Sequence, residues 1–287
     1  MEWARDVDTR VREIAAEVAG RPVRAPDQPL DLDSLGQAEL AFALEEAFGV
    51  RLSDDAPLRT PYEAAVAVGD ALGATAGRDG DVKRGIGHLQ WLGRDVLGAV
   101  LTRYYRFEVR GADRVPEAGP AVLASNHDSL LDIPFLVLAS PRPVWFMAKR
   151  ELYTGRFGAW FFHVLGGFPV LRQGPDLAAV RAALAVLDAG MLLGMYPEGT
   201  RSRDFLPFLP GAAWVALAAG APLIPVAVRG TGDAMPRGSL RPRRVPVSVT
   251  FGEPLDLGRV DAPRRRLEEA AAATQALRAE VERLLRS

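Results

Sequence analysis

Residues 73–87 divide the chain before any motif is considered: Gly73, Gly77, Gly80, Gly85 and Gly87 are interspersed with Arg78, Asp79, Asp81, Lys83 and Arg84. Dense glycine with mixed charge buries little apolar surface, so the stretch reads as a flexible connection between two folded parts. The parts differ in charge. Residues 1–77 hold 7 Lys+Arg and 15 Asp+Glu, a net of −8, whereas the rest of the chain holds 28 and 21, a net of +7. An overall charge of −1 thus hides an acidic module followed by a basic one, a complementarity that favours docking of one on the other. The expected boundaries are 1–77, a linker at 78–84, and 85–287.

The periodicities differ as well. Residues 4–19, 34–48 and 62–72 carry helical patterns, with Leu35, Leu40, Leu44 and Phe48 on one stripe of the second, so the first part reads as a small all-α bundle of three or four helices. Beyond residue 105, short apolar runs at 121–124, 144–148, 168–171, 191–196, 223–228 and 245–251 alternate with helical patterns at 176–188, 211–219 and 262–286. That alternation predicts an α/β domain with a largely parallel or mixed sheet flanked by helices, a design that places ligands at the carboxyl ends of its strands.

Composition narrows the chemistry. The chain has no Cys, which removes disulfides, thiolate metal sites and a cysteine nucleophile; with 3 His, no metal centre is expected. The 48% hydrophobic and 25% charged content is that of a globular protein, and no nucleic-acid partner is expected. The charged start Met-Glu-Trp-Ala-Arg-Asp-Val-Asp has no apolar core of a secretory signal, so a cytoplasmic location is expected. An uncharged stretch of 24 residues, 205–228, contains Pro207, Pro210, Pro222 and Pro225, and so reads as a buried helix followed by a buried strand rather than a membrane span.

Ser34 and Gln37 fit a helix-capping box after Leu30-Asp31-Leu32-Asp33. The wider segment, DLDSLGQAELAFALEEAFGVRLSDD, resembles an acyl carrier protein over residues 27–72. The resemblance implies a four-helix acyl-carrier bundle with 4′-phosphopantetheine on Ser34, installed by a phosphopantetheinyl transferase, and an acidic face of Glu39, Glu45 and Glu46 presented to basic partners. The chain departs from the family where Asp31 replaces the usual Gly and where Pro57 sits in a shortened third-helix region.

In the second part, His127 and Asp132 follow the 121–124 run, five residues apart. On one helix that spacing separates the side chains by about 140°. An interacting pair therefore needs His127 on the loop before the helix that carries Asp132, where the carboxylate would fix the tautomer of a general base. Three further segments follow: Gly166-Gly167-Phe168-Pro169-Val170-Leu171-Arg172, then Tyr196-Pro197-Glu198-Gly199-Thr200-Arg201-Ser202, then Ile224-Pro225-Val226. In this order they resemble the glycerolipid acyltransferase family that includes 1-acylglycerol-3-phosphate acyltransferases, over residues 105–255.

That resemblance implies a catalytic His127 and Asp132, and an acceptor site built from Lys149, Arg172, Glu198, Gly199, Thr200 and Arg201. Arginine suits phosphate, Gly199-Thr200 offers backbone N–H groups to an anion, and Glu198 would orient an arginine or an acceptor hydroxyl. Ser129 reads as a helix cap rather than a nucleophile. The implied reaction moves an acyl group from a phosphopantetheine thioester, on the fused carrier, a free carrier or CoA, to a lysophosphatidate-like hydroxyl. Phe208-Leu209-Pro210-Gly211 lacks the Lys common in the family and Leu171 replaces an acidic residue, leaving room for a non-phosphate alcohol or amine acceptor; an inactive carrier-docking protein is the alternative of another class. Ile86, Leu89, Leu92, Val96, Leu97, Val100, Leu101 and Tyr104 run at helical spacing, either against a peripheral membrane surface or against the domain core. Leu267, Leu277, Val281 and Leu284 form a stripe that could pair with a second copy.

Overall fold

A computed structural model describes residues 2–73, 98, 101–149, 167–170, 177–237 and 241–287. The expected linker, most of the amphipathic stretch that starts at Ile86, and Arg172 lie outside the described residues. Two compact units emerge, the first uniting Met1–Asp81 with Leu171–Arg181 and Val260–Glu269, the second uniting Val82–Val170, Ala182–Arg259 and Ala270–Ser287.

Unit 1 is helical among its described residues: α1 (Glu2–Ala19), α2 (Ser34–Phe48) and α3 (Pro61–Gly73). They close around Val11, Leu40, Leu44, Leu52, Leu58 and Val68, with Leu177 in the same core. Residues 50–60, the shortened third-helix region around Pro57, are turns and extended chain that still bury Leu52 and Leu58. The cap of α2 is Asp33 and not Ser34: the Asp33 carboxylate accepts from Gly36 N at 2.8 Å, while Gln37 donates to Leu32 O at 3.0 Å. Asp31 has φ 53, a left-handed backbone that suits glycine; aspartate tolerates it, and here its carboxylate is held by Arg21 at 2.7 Å.

The acidic face is less open than the sequence implies. Glu39 is 0% exposed, with Arg266 Nη1 3.5 Å away, and Glu45 accepts from Leu52 N and from Arg181, which also meets Asp54. Glu46 alone of the three is exposed.

Unit 2 is built on a seven-stranded sheet of order β1-β7-β6-β2-β5-β3-β4. Its strands are β1 (Phe107–Arg110), β2 (Ala121–Ser125), β3 (Val144–Lys149), β4 (Gly167–Val170), β5 (Leu192–Met195), β6 (Leu223–Arg229) and β7 (Val247–Phe251). Every neighbouring pair is parallel except β6 and β7. β2 is buried at all five positions and β6 at its first six, the continuous apolar pattern of strands covered on both faces. The remaining helices are α4 (Asp132–Ala139), α5 (Leu177–Asp188), α6 (Gly211–Ala219), α7 (Thr231–Ala234) and α8 (Pro263–Arg286), of which α5 and α8 begin in unit 1 and continue in unit 2. α6, with Trp214 fully buried, packs on β2 and β6, so the uncharged stretch is the predicted helix followed by a central strand.

One expectation changes here, and one of two open alternatives gains support. The α8 stripe is already covered by its own chain, since Leu277 and Val281 are 0% exposed and Leu284 3%, and offers no apolar seam to a second copy. In the described end of the amphipathic stretch, Leu101 packs on the sheet core and Tyr104 donates to Pro242 O, contacts of a helix lying on its own domain.

β2 sits between β5 and β6, and β3 lies beyond β5, all parallel. Their carboxyl ends therefore share one edge of the sheet, and the loops that leave that edge build the site.

Candidate active site

β2 ends at Ser125, and the next residue extends the ladder with its side chain. Asn126, 1% exposed, accepts from Val228 N at 2.8 Å and donates to Val228 O at 2.9 Å, mimicking a strand pair against β6. This fixes the direction in which the chain leaves the sheet and delivers His127 to the carboxyl edge. The loop then turns back into α4, whose first residue, Asp132, is 0% exposed.

Asp132 Oδ2 gathers that loop. It accepts from Asp128 N at 2.8 Å and Ser129 N at 2.9 Å, and meets His127 Nδ1 at 2.8 Å. The predicted geometry is thus present: imidazole on the loop, carboxylate on the helix. Ser129 is not the cap of α4; its hydroxyl accepts from Leu131 N and donates to Met235 O at 3.0 Å, tying the loop to the chain after α7. Two backbone donors hold the Asp132 carboxylate in place against His127 Nδ1, which leaves the imidazole Nε2 as the nitrogen not engaged by Asp132.

The loop after β5 closes the other side. Glu198, expected to orient an arginine or a hydroxyl, instead staples backbone: its carboxylate accepts from His127 N at 2.8 Å and from Leu206 N at 2.9 Å. Ser202 N donates to His127 O at 2.8 Å, so both backbone groups of His127 are held by one loop. Burial raises the Glu198 pKa, partly opposed by the two N–H donors. The Tyr196 ring lies over the imidazole with centroids 4.0 Å apart. Gly199 has φ 68, a left-handed turn, and its N–H donates to Tyr196 O at 3.0 Å, so that donor serves the turn rather than an anion. Thr200 is exposed and Arg201 half-buried on the same loop. Lys149 closes β3 on the same sheet edge, with its side chain outside the described residues; Ser34, in unit 1, is exposed at the first turn of α2.

Asp128 is the site's most perturbed carboxylate. Burial and the nearby Asp132 push its pKa up to about 6, against a modest opposite effect of Asn126. Among the described residues no group of three His, Asp or Glu side chains is placed to hold a metal. No described helix is long and apolar enough to cross a membrane.

Residues 106–229 match the family described as Acyltransferase, and residues 9–59 match the family described as Phosphopantetheine attachment site. The first part of the chain thus matches a phosphopantetheine attachment domain and the second an acyltransferase domain. The 1-acyl-sn-glycerol-3-phosphate acyltransferase of Bacillus subtilis is 27% identical over 194 residues, 66% of this chain and 94% of that protein. Human 1-acyl-sn-glycerol-3-phosphate acyltransferase beta is 41% identical over 128 residues, 42% of this chain and 45% of that one. The chloroplastic BAT2 enzyme of Brassica napus is 30% identical, and this chain spans only 41% of its length. Among solved structures, the 1-acyl-sn-glycerophosphate (LPA) acyltransferase of Thermotoga maritima superposes with a TM-score of 0.51 at 26% identity, covering 67% of this chain and 77% of that one. The mixed sheet flanked by helices is therefore the acyltransferase fold expected from the sequence.

Three residues of the site escaped the sequence reading. Asn126, Asp128 and Tyr196 adjoin the recognised positions, but no spacing or composition distinguishes a strand-mimicking Asn or a stacking Tyr from its neighbours.

Proposed function

We propose that this chain transfers a fatty acyl group from a phosphopantetheine thioester to the hydroxyl of a lysophosphatidate-like acceptor, with His127 as general base. The 2.8 Å contact of His127 Nδ1 with the buried Asp132 at the carboxyl edge of a parallel sheet carries the reading. His127 Nε2 takes the proton of the acceptor hydroxyl as its oxygen attacks the thioester carbonyl; the C–S bond breaks, and the imidazolium returns the proton to the departing sulfur. Asp132 stabilises the imidazolium, and the Glu198 staple holds the His127 backbone still during the transfer. Lys149, Arg172 and Arg201, with the Gly199-Thr200 turn, form the proposed acceptor-phosphate side of the site.

Ser34 is the proposed attachment point. Asp33 performs the capping, so the exposed Ser34 hydroxyl is not needed for α2, and the helix N-terminus favours a phosphodiester there. The attached group supplies a thiol that holds the acyl chain as a thioester. A phosphopantetheinyl transferase is the implied partner, a cytoplasmic location is proposed, and the acceptor is met at the inner membrane surface.

A second acceptor class, a non-phosphate alcohol or amine, is favoured by one observation: Asp128, a carboxyl beside the base, adjoins a loop whose Phe208-Leu209 stands where the family commonly has Lys. The test is phosphatidic acid formation from acyl thioester and lysophosphatidic acid by the full chain and by His127→Ala. A loss of about 10³-fold or more in kcat is expected for the variant. Near-normal turnover by His127→Ala would overturn the general-base assignment. Transfer to neutral alcohols or amines but not to lysophosphatidic acid would establish the second acceptor class.

A further inference from the structure

Tyr196 leaves β5 with its ring nearly parallel to the His127 imidazole, centroids 4.0 Å apart and planes at 18°. The same ring is stacked with Phe146 of β3, 6.0 Å away at 15°. The arrangement depends on Gly194, paired with Phe146 across the β3–β5 ladder: any Cβ at position 194 would run into the Phe146 ring. Backbone and side chains of two strands thus cooperate to set one aromatic plane against the catalytic imidazole.

The far end of Tyr196 is equally specific. Its hydroxyl is buried and has no hydrogen-bond partner among the described residues, and the same holds for Asp132 Oδ1, the oxygen that the His127 contact does not use. Burial, with the Asp132 charge adding to it, raises the phenol pKa well above 10, so the group stays a neutral donor.

We propose that Tyr196 is a positioning residue for His127: its ring face fixes the imidazole plane so that Nδ1 stays on Asp132 and Nε2 stays available to the acceptor. The electron-rich face also favours the imidazolium that forms as the proton is taken, whereas an aliphatic side chain there would support neither orientation nor charge. This rests on the reading of His127 as base. The ring is needed for this role; the hydroxyl is secondary.

The experiment uses the full-length chain as wild type, Tyr196→Phe, Tyr196→Leu and His127→Ala, with Tyr196→Met in place of the Leu variant if that one does not fold. Steady-state kinetics with lysophosphatidic acid and a proton NMR search for the imidazole Nδ1–H, assigned by its loss in His127→Ala, are run together. Removal of the ring is expected to lower kcat about tenfold with KM within about twofold, and to broaden the Nδ1–H signal by faster exchange. Tyr196→Phe is expected to restore both. Wild-type kcat and a sharp Nδ1–H without the ring would overturn the proposal, as would a Phe variant as impaired as the Leu variant. Retained turnover in His127→Ala would instead defeat the general-base reading, and the NMR arm still decides the positioning role.

Discussion

One oxygen of Asp132 accepts from two backbone N–H groups and faces His127 Nδ1, so the carboxylate both shapes the loop and orients the imidazole. Asp132→Asn removes the charge on which the three contacts converge and places an amide NH2, a donor, within reach of the same loop. A loss of about 10³–10⁴ in kcat with little change in KM is expected from the misoriented tautomer, measured on soluble, folded protein. Asp128 makes a pH prediction. Its carboxyl is raised to about 6 in the folded state from the ordinary aspartate value of 3.8, chiefly by burial. The folded state therefore binds this proton more tightly than the unfolded state does. The resulting stability is complete below pH 3.8 and is lost as pH rises through about 6. Asp128→Asn should be about 1–2 kcal/mol more stable than the wild type at pH 7.5, with the gap closing toward pH 4, in denaturant melts at both pH values. At this scale it was the resemblance carried by the later segments that singled out His127 and Asp132; the i, i+5 spacing added only that they would have to meet across a loop–helix junction, as they do. The sequence reading misplaced the α2 cap, since Asp33 and Ser34 are equally good capping residues side by side, and it gave Glu198 side-chain partners where backbone N–H groups took the carboxylate.

At the scale of elements, β5 connects packing to chemistry. Gly194 leaves room for the Phe146 ring, which stacks on Tyr196, which stacks on His127. Gly194→Ala forces that ring to move and should cost about 1–3 kcal/mol in a denaturant melt, with a drop in kcat larger than the fraction unfolded explains. Unchanged stability and turnover would mean that the stack adapts freely. Buried strands and helices were the most legible elements: the apolar run at 223–228 became β6, Leu223–Arg229, and the pattern at 211–219 became α6 without change. The stretch around Pro57 was legible as a departure from a helix, but not that it buries Leu52 and Leu58, because burial in a turn leaves no periodic pattern. Nor does one sequence reveal that β7 runs antiparallel to β6, since an isolated apolar run carries no direction.

For the molecule as a whole, an attachment domain with an exposed Ser34 and an acyltransferase domain with a preorganised His127–Asp132 pair share one chain. A flexible tether can raise the effective concentration of a linked donor to about the millimolar range. The charge division between −8 and +7 was legible from composition, and the engagement of Glu39 and Glu45 within unit 1 was not, because burial of a carboxylate depends on which arginine reaches it. On the proposed function the chain carries its own acyl donor and consumes it at His127. Intact-protein mass spectrometry of the acyl-phosphopantetheinylated chain, before and after lysophosphatidic acid is added, tests it most directly. The acyl mass is expected to leave the wild-type chain as phosphatidic acid appears and to stay on His127→Ala; a wild-type chain that remains loaded, or a mutant that unloads as fast, would overturn the proposed function.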